Sequence, residues 1–304
     1  MKAVVTGSAG FIGRHLTDAL VERGYRVTGV DRQSRFDSGD YEHYILDLGD
    51  DPQTSGLLGL MAGADVVFHL AARPGVRGHG SAIQRERYRD NVVATRHLLD
   101  VTPPSTALVV TSSSSVYGGS RHGRPCREGD ELLPRGGYAR SKVIVEQLCE
   151  VRRERGGVVT VVRPFTVAGE HQRSDMAFSI WLDALSRGEP IRIFGSPSRS
   201  RDITDVRDVV EGLIRAGERG LNRTINLGTG VGYRLIDMAR VLMDVYGRET
   251  DVVTHPVSAE DVDATLADTT LCQELLGFTP QTDLYSLLAR QAAAAARIPA
   301  MVAT

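Results

Sequence analysis

The chain has 304 residues, enough for one large α/β unit or for two lobes that share an interface. Hydrophobic residues make up 41% and charged residues 24%, and these ordinary values argue against a disordered or fibrous protein. The net charge is −2 and acids and bases are interspersed, so the sequence predicts no broad surface for nucleic acid or for anionic membranes. We therefore expect a small-molecule partner.

The beginning of the chain and its cysteines bear on location. Met1 leads directly into a strand-like segment, which leaves no room for a signal peptide, and no apolar run approaches membrane-spanning length. Cys126, Cys149 and Cys272 are odd in number and have no metal-binding or redox spacing. We therefore expect reduced thiols, no metal site and a cytoplasmic protein.

Apolar segments typical of buried parallel strands alternate with segments of helical spacing in the first half of the chain. The strand-like segments lie near residues 2–6, 26–30, 65–69, 106–111 and 158–162, and the helical ones at 11–23, 83–100 and 139–152. This alternation is typical of βαβ units, so the sequence predicts an α/β fold with a doubly wound parallel sheet.

The pattern loosens after about residue 165. Polar loops, a stretch around 175–187 and a Pro, Gly and Ser-rich passage at 189–200 precede helices near 205–218, 234–246 and 283–297. We predict a first domain over residues 1–165, to which 202–230 return, and a smaller mixed α/β lobe over 166–201 and 231–304.

A glycine-rich turn follows the first strand and leads into an amphipathic helix. Gly7 and Gly10 let the backbone turn tightly and approach a pyrophosphate, and Gly13 lets the helix pack closely on the strand. The N-terminus of the helix supplies amide donors and partial positive charge to the phosphates. The turn therefore predicts a Rossmann domain that binds a dinucleotide.

The end of the second strand indicates which dinucleotide. Asp31 is placed to accept the hydrogen bonds of both ribose hydroxyls, and its charge repels a 2′-phosphate, which favours NAD over NADP. Arg32 weakens this preference, because an arginine can host such a phosphate. Asp47 and Leu48 follow a short apolar run; they either contact the adenine or are a loop acid and a core leucine.

Tyr138 and Lys142 are candidate catalytic residues. Positions four apart share one face of a helix, so their side chains project together. A free phenol has a pKa of about 10, and a nearby ammonium together with a positive nicotinamide ring favours the phenolate. Lys142 is one of only two lysines in the chain. The pair therefore predicts a tyrosine that acts as a general base.

Three motifs in this order resemble the extended short-chain dehydrogenase/reductases. They are Thr6-Gly7-x-x-Gly10-Phe11-Ile12-Gly13, His69-Leu70-Ala71-Ala72 and Asn91 in a helix. The resemblance implies that Phe11, Ile12, Leu70, Ala71, Ala72 and Asn91 belong to the cofactor site. It also implies that Ser113, four residues before the tyrosine of Val116-Tyr117-Gly118, hydrogen-bonds the reacting hydroxyl.

The same resemblance narrows the reaction. Related dehydratases and decarboxylases carry an acidic residue between the catalytic Ser or Thr and Val-Tyr-Gly, whereas this chain has Ser114 and Ser115. Reversible oxidation at one carbon, as in the nucleotide-sugar epimerases, is therefore favoured over elimination.

Residues after the sixth strand suggest the sugar. Thr166 and a downstream Arg-x-Asp-Met-Ala resemble the UDP-glucuronate 4-epimerases, although Ala168 and Ser174 depart from their pattern. The planar fork of Arg173 and the hydroxyls of Thr166, Ser114 and Ser115 would suit a uronate carboxylate. The alternative is a surface arginine paired with Asp175 and a threonine that closes a turn.

The resemblance also supplies residues for the nucleotide. It implies that Arg201 in Arg201-Asp202-Ile203-Thr204 binds the pyrophosphate, that Arg77 lies near the substrate phosphates, and that Asp261 belongs to a substrate-binding stretch. Because residues 256–259 lack a second arginine that many relatives have, Arg201 must supply more of the neutralising charge.

We therefore expect an NAD-dependent 4-epimerase of a UDP-sugar, most of all UDP-glucuronate. The alternatives are a 4-epimerase of UDP-glucose or UDP-N-acetylglucosamine, a uronate decarboxylase or dehydratase, and a non-catalytic NAD-binding scaffold. Relatives often form homodimers through the helices near 83–100 and 139–152. Apolar side chains permit this here or equally face the chain's own sheet: Val143, Ile144, Leu148 and Val151.

Overall fold

The computed structural model describes residues 1–35, 39–51, 56–75, 80–121, 123–258 and 260–297. Its strands are β1 (Lys2–Thr6), β2 (Arg26–Asp31), β3 (Glu42–Ile45), β4 (Val66–His69), β5 (Ala107–Thr111), β6 (Val159–Pro164), β7 (Thr166–Ala168), β8 (Ile191–Phe194), β9 (Ser200–Asp205), β10 (Thr224–Leu227), β11 (Gly232–Arg234) and β12 (Val252–His255).

Its α-helices are α1 (Phe11–Glu22), α2 (Leu57–Met61), α3 (Ser81–Arg87), α4 (Ala94–Val101), α5 (Gly136–Glu154), α6 (Ala177–Arg187), α7 (Val206–Arg219), α8 (Leu235–Tyr246), α9 (Thr270–Leu276) and α10 (Leu284–Arg297). A π-helical turn, Tyr88–Val93, joins α3 to α4, and a 3₁₀ turn, Ser114–Tyr117, follows β5.

Seven parallel strands form the central sheet in the order β3-β2-β1-β4-β5-β6-β10. The order reverses at β1, which is the arrangement of the doubly wound Rossmann fold and confirms the predicted fold class. The carboxyl ends of β1, β2, β4, β5 and β6 meet at one edge of the sheet, so the residues that follow these strands are brought together there.

Helices cover both faces of this sheet. On one face, α1 and α7 pack Leu16 and Leu213 against Val5 and Phe68, and β10 extends the sheet beyond β6. On the other face, α4 and α5 pack side chains such as Leu98 against Val67. Residues 206–227 contribute α7 and β10 to this sheet and its covering helices, and the assignment of domains stays a prediction.

The smaller part of the molecule contains two short sheets. β7 pairs with β9 in parallel, β9 pairs with β11 antiparallel, and β8 pairs with β12 in parallel. No helix was predicted over 175–187 and no strand over 189–200, yet α6 and β8 lie there. Trp181 and Leu185 of α6 share a buried core with Ile191 and Ile193 of β8, so contacts between the two elements stabilise both.

The helices and the cysteines of the described residues bear on membrane insertion and on disulfide bonding. No described helix combines the length and the apolarity needed to cross a bilayer. Cys126, Cys149 and Cys272 are buried free thiols, as expected.

Candidate active site

A cavity of about 470 Å³ opens at the carboxyl edge of the central sheet. Every described residue predicted for the cofactor lines it except Asn91: Gly7, Gly10, Phe11, Ile12, Gly13, Asp31, Arg32, Asp47, Leu48, Leu70, Ala71, Ala72, Tyr138 and Lys142. Ser113 and Arg173 line it as well. The predicted cofactor residues and catalytic residues therefore share one cleft.

The glycine-rich turn has the shape that a dinucleotide requires. Gly7 has a φ of 74°, and a Cβ atom there would lie 2.6 Å from the backbone nitrogen of Ala71. A Cβ at Gly13 would lie 2.0 Å from the carbonyl oxygen of Gly7. Gly10 precedes α1 and has no side chain to cap the helix, so the first amides stay available to an anion. This cradle fits the pyrophosphate of NAD.

Asp31 and Arg32 have different roles at the ribose end of the cleft. The Asp31 carboxylate accepts hydrogen bonds from the backbone N–H groups of Ala9 (3.1 Å) and Gln33 (3.0 Å), which fix it at the cavity wall. Arg32 Nη1 instead donates to Asp90 Oδ2 at 2.9 Å. Burial would raise the pKa of Asp90, but Arg32 and Arg73 outweigh it and the pKa is lowered. Arg32 is thus held by an ionised partner, which limits its use as a phosphate ligand.

The structure supports both interpretations of Asp47 and Leu48. Leu48 is buried in the core and also borders the cavity. Asp47 is a loop acid that accepts from Gly49 N–H (2.9 Å) and from Arg89 Nη1 (3.0 Å), and it too borders the cavity. Contact between these residues and an adenine stays a prediction.

Asn91 is fully buried and lies outside the cavity lining. Its Oδ1 accepts from the N–H of Arg73 at 2.6 Å, and its Nδ2 donates to Ser141 Oγ at 2.9 Å. It therefore ties the loop after β4 to α5, three residues beyond Tyr138. The π-helical turn that contains Asn91 is a feature often found at functional sites. A direct contact with the cofactor stays a prediction.

His69 extends the hydrogen-bond network of Asn91 into the central sheet. Its Nδ1 lies 2.7 Å from Thr6 Oγ1 and its Nε2 lies 2.9 Å from Thr95 Oγ1. Thr95 donates its own proton to the carbonyl oxygen of Asn91, so we assign the proton of His69 to Nε2. Burial lowers the pKa of His69 to about 3, so the ring stays neutral and serves as a structural link.

The three predicted catalytic residues all line the cavity. Ser113 caps the 3₁₀ turn after β5, and its hydroxyl lies near enough to the Tyr138 phenol to lower the pKa of that group. Lys142 Nζ lies 6.0 Å from the centroid of the Tyr138 ring and donates to the carbonyl oxygen of Thr111 at 2.8 Å. The arrangement places a hydroxyl, a phenol and an ammonium around one point of the cleft.

Burial shifts the titration of both helix residues. It raises the pKa of Tyr138, while the nearby hydroxyl of Ser113 and the charges of Arg173 and Arg87 act in the opposite direction. Burial lowers the pKa of Lys142 from 10.5 to about 8, because the side chain is only 4% exposed. Water is therefore largely excluded around these two groups, so single charges are weakly screened and act strongly on the phenol.

The position of Arg173 is compatible with both alternatives that the sequence left open, a ligand of the sugar carboxylate and a surface arginine paired with Asp175. It lines the cavity, and its charge acts on Tyr138. It also forms a forked ion pair with Asp175, with Nε to Oδ1 at 2.9 Å and Nη2 to Oδ2 at 3.2 Å. A carboxylate thus already occupies the fork that we predicted for the sugar acid.

The other predicted sugar contacts lie outside the cavity lining. Ser114 and Ser115 are in the 3₁₀ turn, where Ser115 Oγ is buried without a hydrogen-bond partner among the described residues. Thr166 begins β7. Their contact with a substrate stays a prediction.

Arg201 and the stretch that contains Asp261 lie side by side in the fold. Arg201 Nη2 donates to the carbonyl oxygen of Val262 at 2.8 Å, and Arg199 Nη2 donates to that of Asp261 at 3.0 Å. Neither Arg201 nor Asp261 lines the described part of the cavity. Arg77 lies outside the described residues.

Several cavity residues were not predicted from the sequence, among them Asp90, Phe165 and Met176. Asp90 precedes Asn91 in the π-helical turn, and its neighbouring arginines were the available signal. Phe165 and Met176 also line the cavity, next to Thr166 and near Arg173. Apolar residues in loops give no sequence signal that separates a sugar-facing side chain from a core one.

Comparisons with known proteins agree with this geometry. The sequence profile described as "NAD dependent epimerase/dehydratase family" matches residues 3–228. A Bacillus subtilis protein named "Uncharacterized UDP-glucose epimerase YtcB" is 30% identical, over 93% of this chain and 94% of that protein. A "Probable UDP-glucuronate 4-epimerase" of Rhizobium meliloti is 29% identical, over 95% of each.

Solved structures match over nearly the whole chain. MoeE5 in complex with UDP-glucuronic acid and NAD has a TM-score of 0.89 and 34% identity, and covers 98% of this chain and 99% of its own. UDP-glucuronic acid 4-epimerase from Bacillus cereus in complex with UDP-glucuronic acid and NAD has a TM-score of 0.87 and 29% identity, with 97% and 98% covered. The chain therefore belongs to the NAD-dependent epimerase/dehydratase family, and NAD is its cofactor.

Proposed function

We propose that the protein is an NAD-dependent 4-epimerase of UDP-sugars and that UDP-glucuronate is its preferred substrate. The observation that carries the proposal is the convergence of Ser113, Tyr138 and Lys142 on one cavity that Arg173 also lines. Proteins similar over almost the whole chain carry names that refer to UDP-glucuronate or UDP-glucose.

The catalytic groups divide the reaction among them. Tyr138 removes the proton of the C4 hydroxyl, and Ser113 orients that hydroxyl through its own side chain. Lys142 supplies positive charge beside the phenol and stabilises the phenolate. The glycine-rich turn and Asp31 would hold NAD, which would supply the hydride-transfer chemistry that oxidation and re-reduction at C4 require. The 4-keto sugar turns over in the cavity, and Tyr138 gives its proton back to the oxygen of the inverted centre.

A uronate substrate requires one further group. Its 4-keto form is a β-keto acid, which loses carbon dioxide when the bond to the carboxylate aligns with the carbonyl π system. A guanidinium fork that grips the carboxylate prevents this alignment by positioning. Arg173 has the right geometry, because its fork already holds the carboxylate of Asp175. A uronate would displace or share that partner.

A neutral UDP-hexose is the second candidate. It is favoured by the pairing of Arg173 with Asp175 and by the position of Ser114, Ser115 and Thr166 outside the described cavity lining. A decarboxylase is less favoured, because Ser114 and Ser115 provide no acid between Ser113 and Tyr117. One similar protein is nevertheless named "UDP-glucuronic acid decarboxylase 1", from Danio rerio, at 26% identity over 93% of this chain and 70% of that protein.

Turnover of UDP-glucuronate and UDP-glucose by the same enzyme tests the proposal, with products separated by chromatography. We expect Tyr138→Phe to fold and bind NAD but to lose epimerisation; near-normal turnover would refute the mechanism. We expect Arg173→Ala to lower kcat/KM for UDP-glucuronate about tenfold or more beyond its effect on UDP-glucose, since a charge-assisted hydrogen bond is lost.

Asp175→Ala is the matched control for the recognition of the sugar carboxylate by Arg173. It frees the fork of Arg173 while leaving the guanidinium in place, so its kcat/KM for UDP-glucuronate should be unchanged or higher. Equal losses on both sugars in Arg173→Ala would indicate a neutral substrate. Release of carbon dioxide would indicate a decarboxylase.

A homodimer through the helices near 83–100 and 139–152 is part of the same proposal; these are α3, the π-helical turn, α4 and α5. Val151 is 41% exposed on α5, which leaves an apolar side chain for a partner. Val143 and Leu148 instead pack partly against the chain's own cores. Measurement of the mass in solution, compared between the wild type and Val151→Glu, tests this interface.

A further inference from the structure

A buried ion pair lies directly behind the catalytic residues. Glu146 is on α5, one helical turn beyond Lys142, and Arg163 is on β6. Arg163 Nε donates to Glu146 Oε1 at 2.9 Å and Nη2 donates to Oε2 at 2.6 Å. The side chain of Arg163 is only 5% exposed and that of Glu146 only 10%. No step of the proposed mechanism uses either residue.

The carboxylate of Glu146 joins the two segments that carry the catalytic groups. It belongs to the helix that carries Tyr138 and Lys142. Its Oε1 also accepts the hydroxyl proton of Ser112, the residue before Ser113. The helix and the end of β5 are therefore fixed to one another at a single carboxylate.

Arg163 holds the other end of the catalytic turn. Its Nη1 donates to the hydroxyl of Tyr117 at 2.7 Å and to the carbonyl oxygen of Glu128 at 3.0 Å. The Tyr117 hydroxyl in turn donates to Asn226 Oδ1 of β10 at 2.6 Å. The 3₁₀ turn that Ser113 caps is thus held at Ser112 through Glu146 and at Tyr117 through Arg163.

Stability alone does not explain this pair. Removing two charges from water is costly, and a well-packed apolar pair of similar volume often gives an equally stable protein. What an apolar pair cannot supply is a directional link from Ser112 to α5 and from Tyr117 to β6. The geometry therefore favours a role in the reaction.

We propose that Glu146, together with Arg163, is a positioning residue that fixes the distance between the Ser113 hydroxyl and the Tyr138 phenol. This inference rests on the proposed function, since epimerisation is the reaction for which the groups are positioned. Glu146 touches neither the sugar nor the cofactor. It acts through Ser112 on one side and through α5 on the other.

Glu146 also bears on the charge of Lys142. The groups that face Lys142 are Tyr138, Glu146 and Cys149 of α5 and His69 of β4, and Arg163 lies behind Glu146. His69 is neutral, and burial raises the pKa of Cys149 to about 12, so that its thiol is neutral as well. Glu146 is therefore the anion that opposes the effect of burial on Lys142. Without its charge the pKa of Lys142 falls below about 8.

Steady-state kinetics of Glu146→Gln as a function of pH tests the inference. We expect kcat to fall about ten- to hundredfold with little change in KM, because the reacting groups lose their spacing. We also expect the alkaline limb of the kcat profile, where kcat declines as Lys142 loses its proton, to move to lower pH. The matched control is Glu150→Gln, one turn further along α5, whose exposed ion pair with Arg153 lies away from the site; it should behave as the wild type.

A double variant, Glu146→Leu with Arg163→Met, excludes a general loss of folding. It leaves neither partner of the ion pair as an unpaired buried charge, so we expect a folded protein with NAD affinity close to that of the wild type and a kcat as low as in Glu146→Gln. A double variant with the kcat and the alkaline limb of the wild type would overturn the inference.

A second readout does not depend on the sugar. In the NAD-loaded enzyme, the phenol of Tyr138 is titrated by ultraviolet difference absorbance, with Tyr138→Phe as the reference. We expect a higher midpoint in Glu146→Gln than in the wild type, because the phenol loses the fixed contact with the Ser113 hydroxyl that lowers its pKa. If the wild type epimerises no UDP-sugar, the proposed function fails. The titration then decides the inference, and equal midpoints reject it.

Discussion

Replacing Lys142 with methionine should make the protein more stable while it abolishes the reaction. The Lys142 side chain is 4% exposed, and burial lowers its pKa from 10.5 to about 8. A base whose pKa is lower in the folded state binds its proton more weakly after folding, so the charged lysine opposes folding. Methionine has a similar length and no charge, which relieves this penalty.

The magnitude follows from the two pKa values. The difference between 10.5 and about 8 is worth about 3 kcal/mol, since one pKa unit corresponds to about 1.4 kcal/mol. Methionine also loses the hydrogen bond to the carbonyl oxygen of Thr111, whose net contribution is about 1 kcal/mol. We therefore expect a gain of about 2 kcal/mol in the free energy of unfolding at pH 7.

The pH dependence gives a sharper test than the gain itself. Below about pH 8 the lysine is protonated in both states, so the penalty is complete; it declines as pH rises towards 10.5 and vanishes above that value. Urea denaturation of the wild type and of Lys142→Met at several pH values in this range measures the difference between their free energies of unfolding. The other titrating groups are the same in both proteins, so their contributions cancel in that difference.

Lys2→Met, at the chain's other and less buried lysine, should change the free energy of unfolding by less than about 0.5 kcal/mol. A methionine variant no more stable than the wild type at pH 7, or a gain that persists above pH 10.5, would refute the argument.

Two further predictions concern the cofactor. Asp31→Ala should weaken NAD binding about ten- to hundredfold and narrow the difference between NAD and NADP, because a carboxylate acceptor is lost, whereas Arg32→Ala should change NAD affinity little. Calorimetric titration with both dinucleotides measures this, and a large effect of Arg32→Ala would contradict the assignment. Gly13→Ala should impair NAD binding and destabilise the fold by about 1–3 kcal/mol, because its Cβ would lie 2.0 Å from the carbonyl oxygen of Gly7. Gly59→Ala, which meets open space, is the control for thermal unfolding and should show no such loss.

Sequence reasoning predicted those parts of the site that depend on local spacing. The glycine-rich turn is contiguous in sequence, and Tyr138 and Lys142 are four residues apart on one helix, so short-range geometry places them. The strand order then brings Ser113 to the same cleft, because β5 lies beside β4 in the sheet. The strands themselves were predictable, since buried parallel strands are nearly continuous apolar runs.

Long-range side-chain contacts could not be predicted in the same way. The sequence does not show that Arg32 is held by Asp90, 58 residues away, or that Arg201 reaches the carbonyl of Val262, 61 residues away. The ion pair of Glu146 with Arg163 had one local signal, a carboxylate one turn after Lys142, and it was missed because its partner lies on another element. Helix α6 was missed because its apolar spacing lies among polar loops.

The stability cost of Lys142 and its value to the reaction have one physical origin. An ammonium acts strongly on a phenol only where water is excluded, and excluding water is what makes the ammonium costly to bury. Exposing Lys142 would restore its pKa, but it would also screen its charge from Tyr138. Glu146 eases this conflict without adding water, because its charge favours the protonated lysine from within the buried region. A substitution that relieves the cost by removing the charge therefore also removes the catalytic effect.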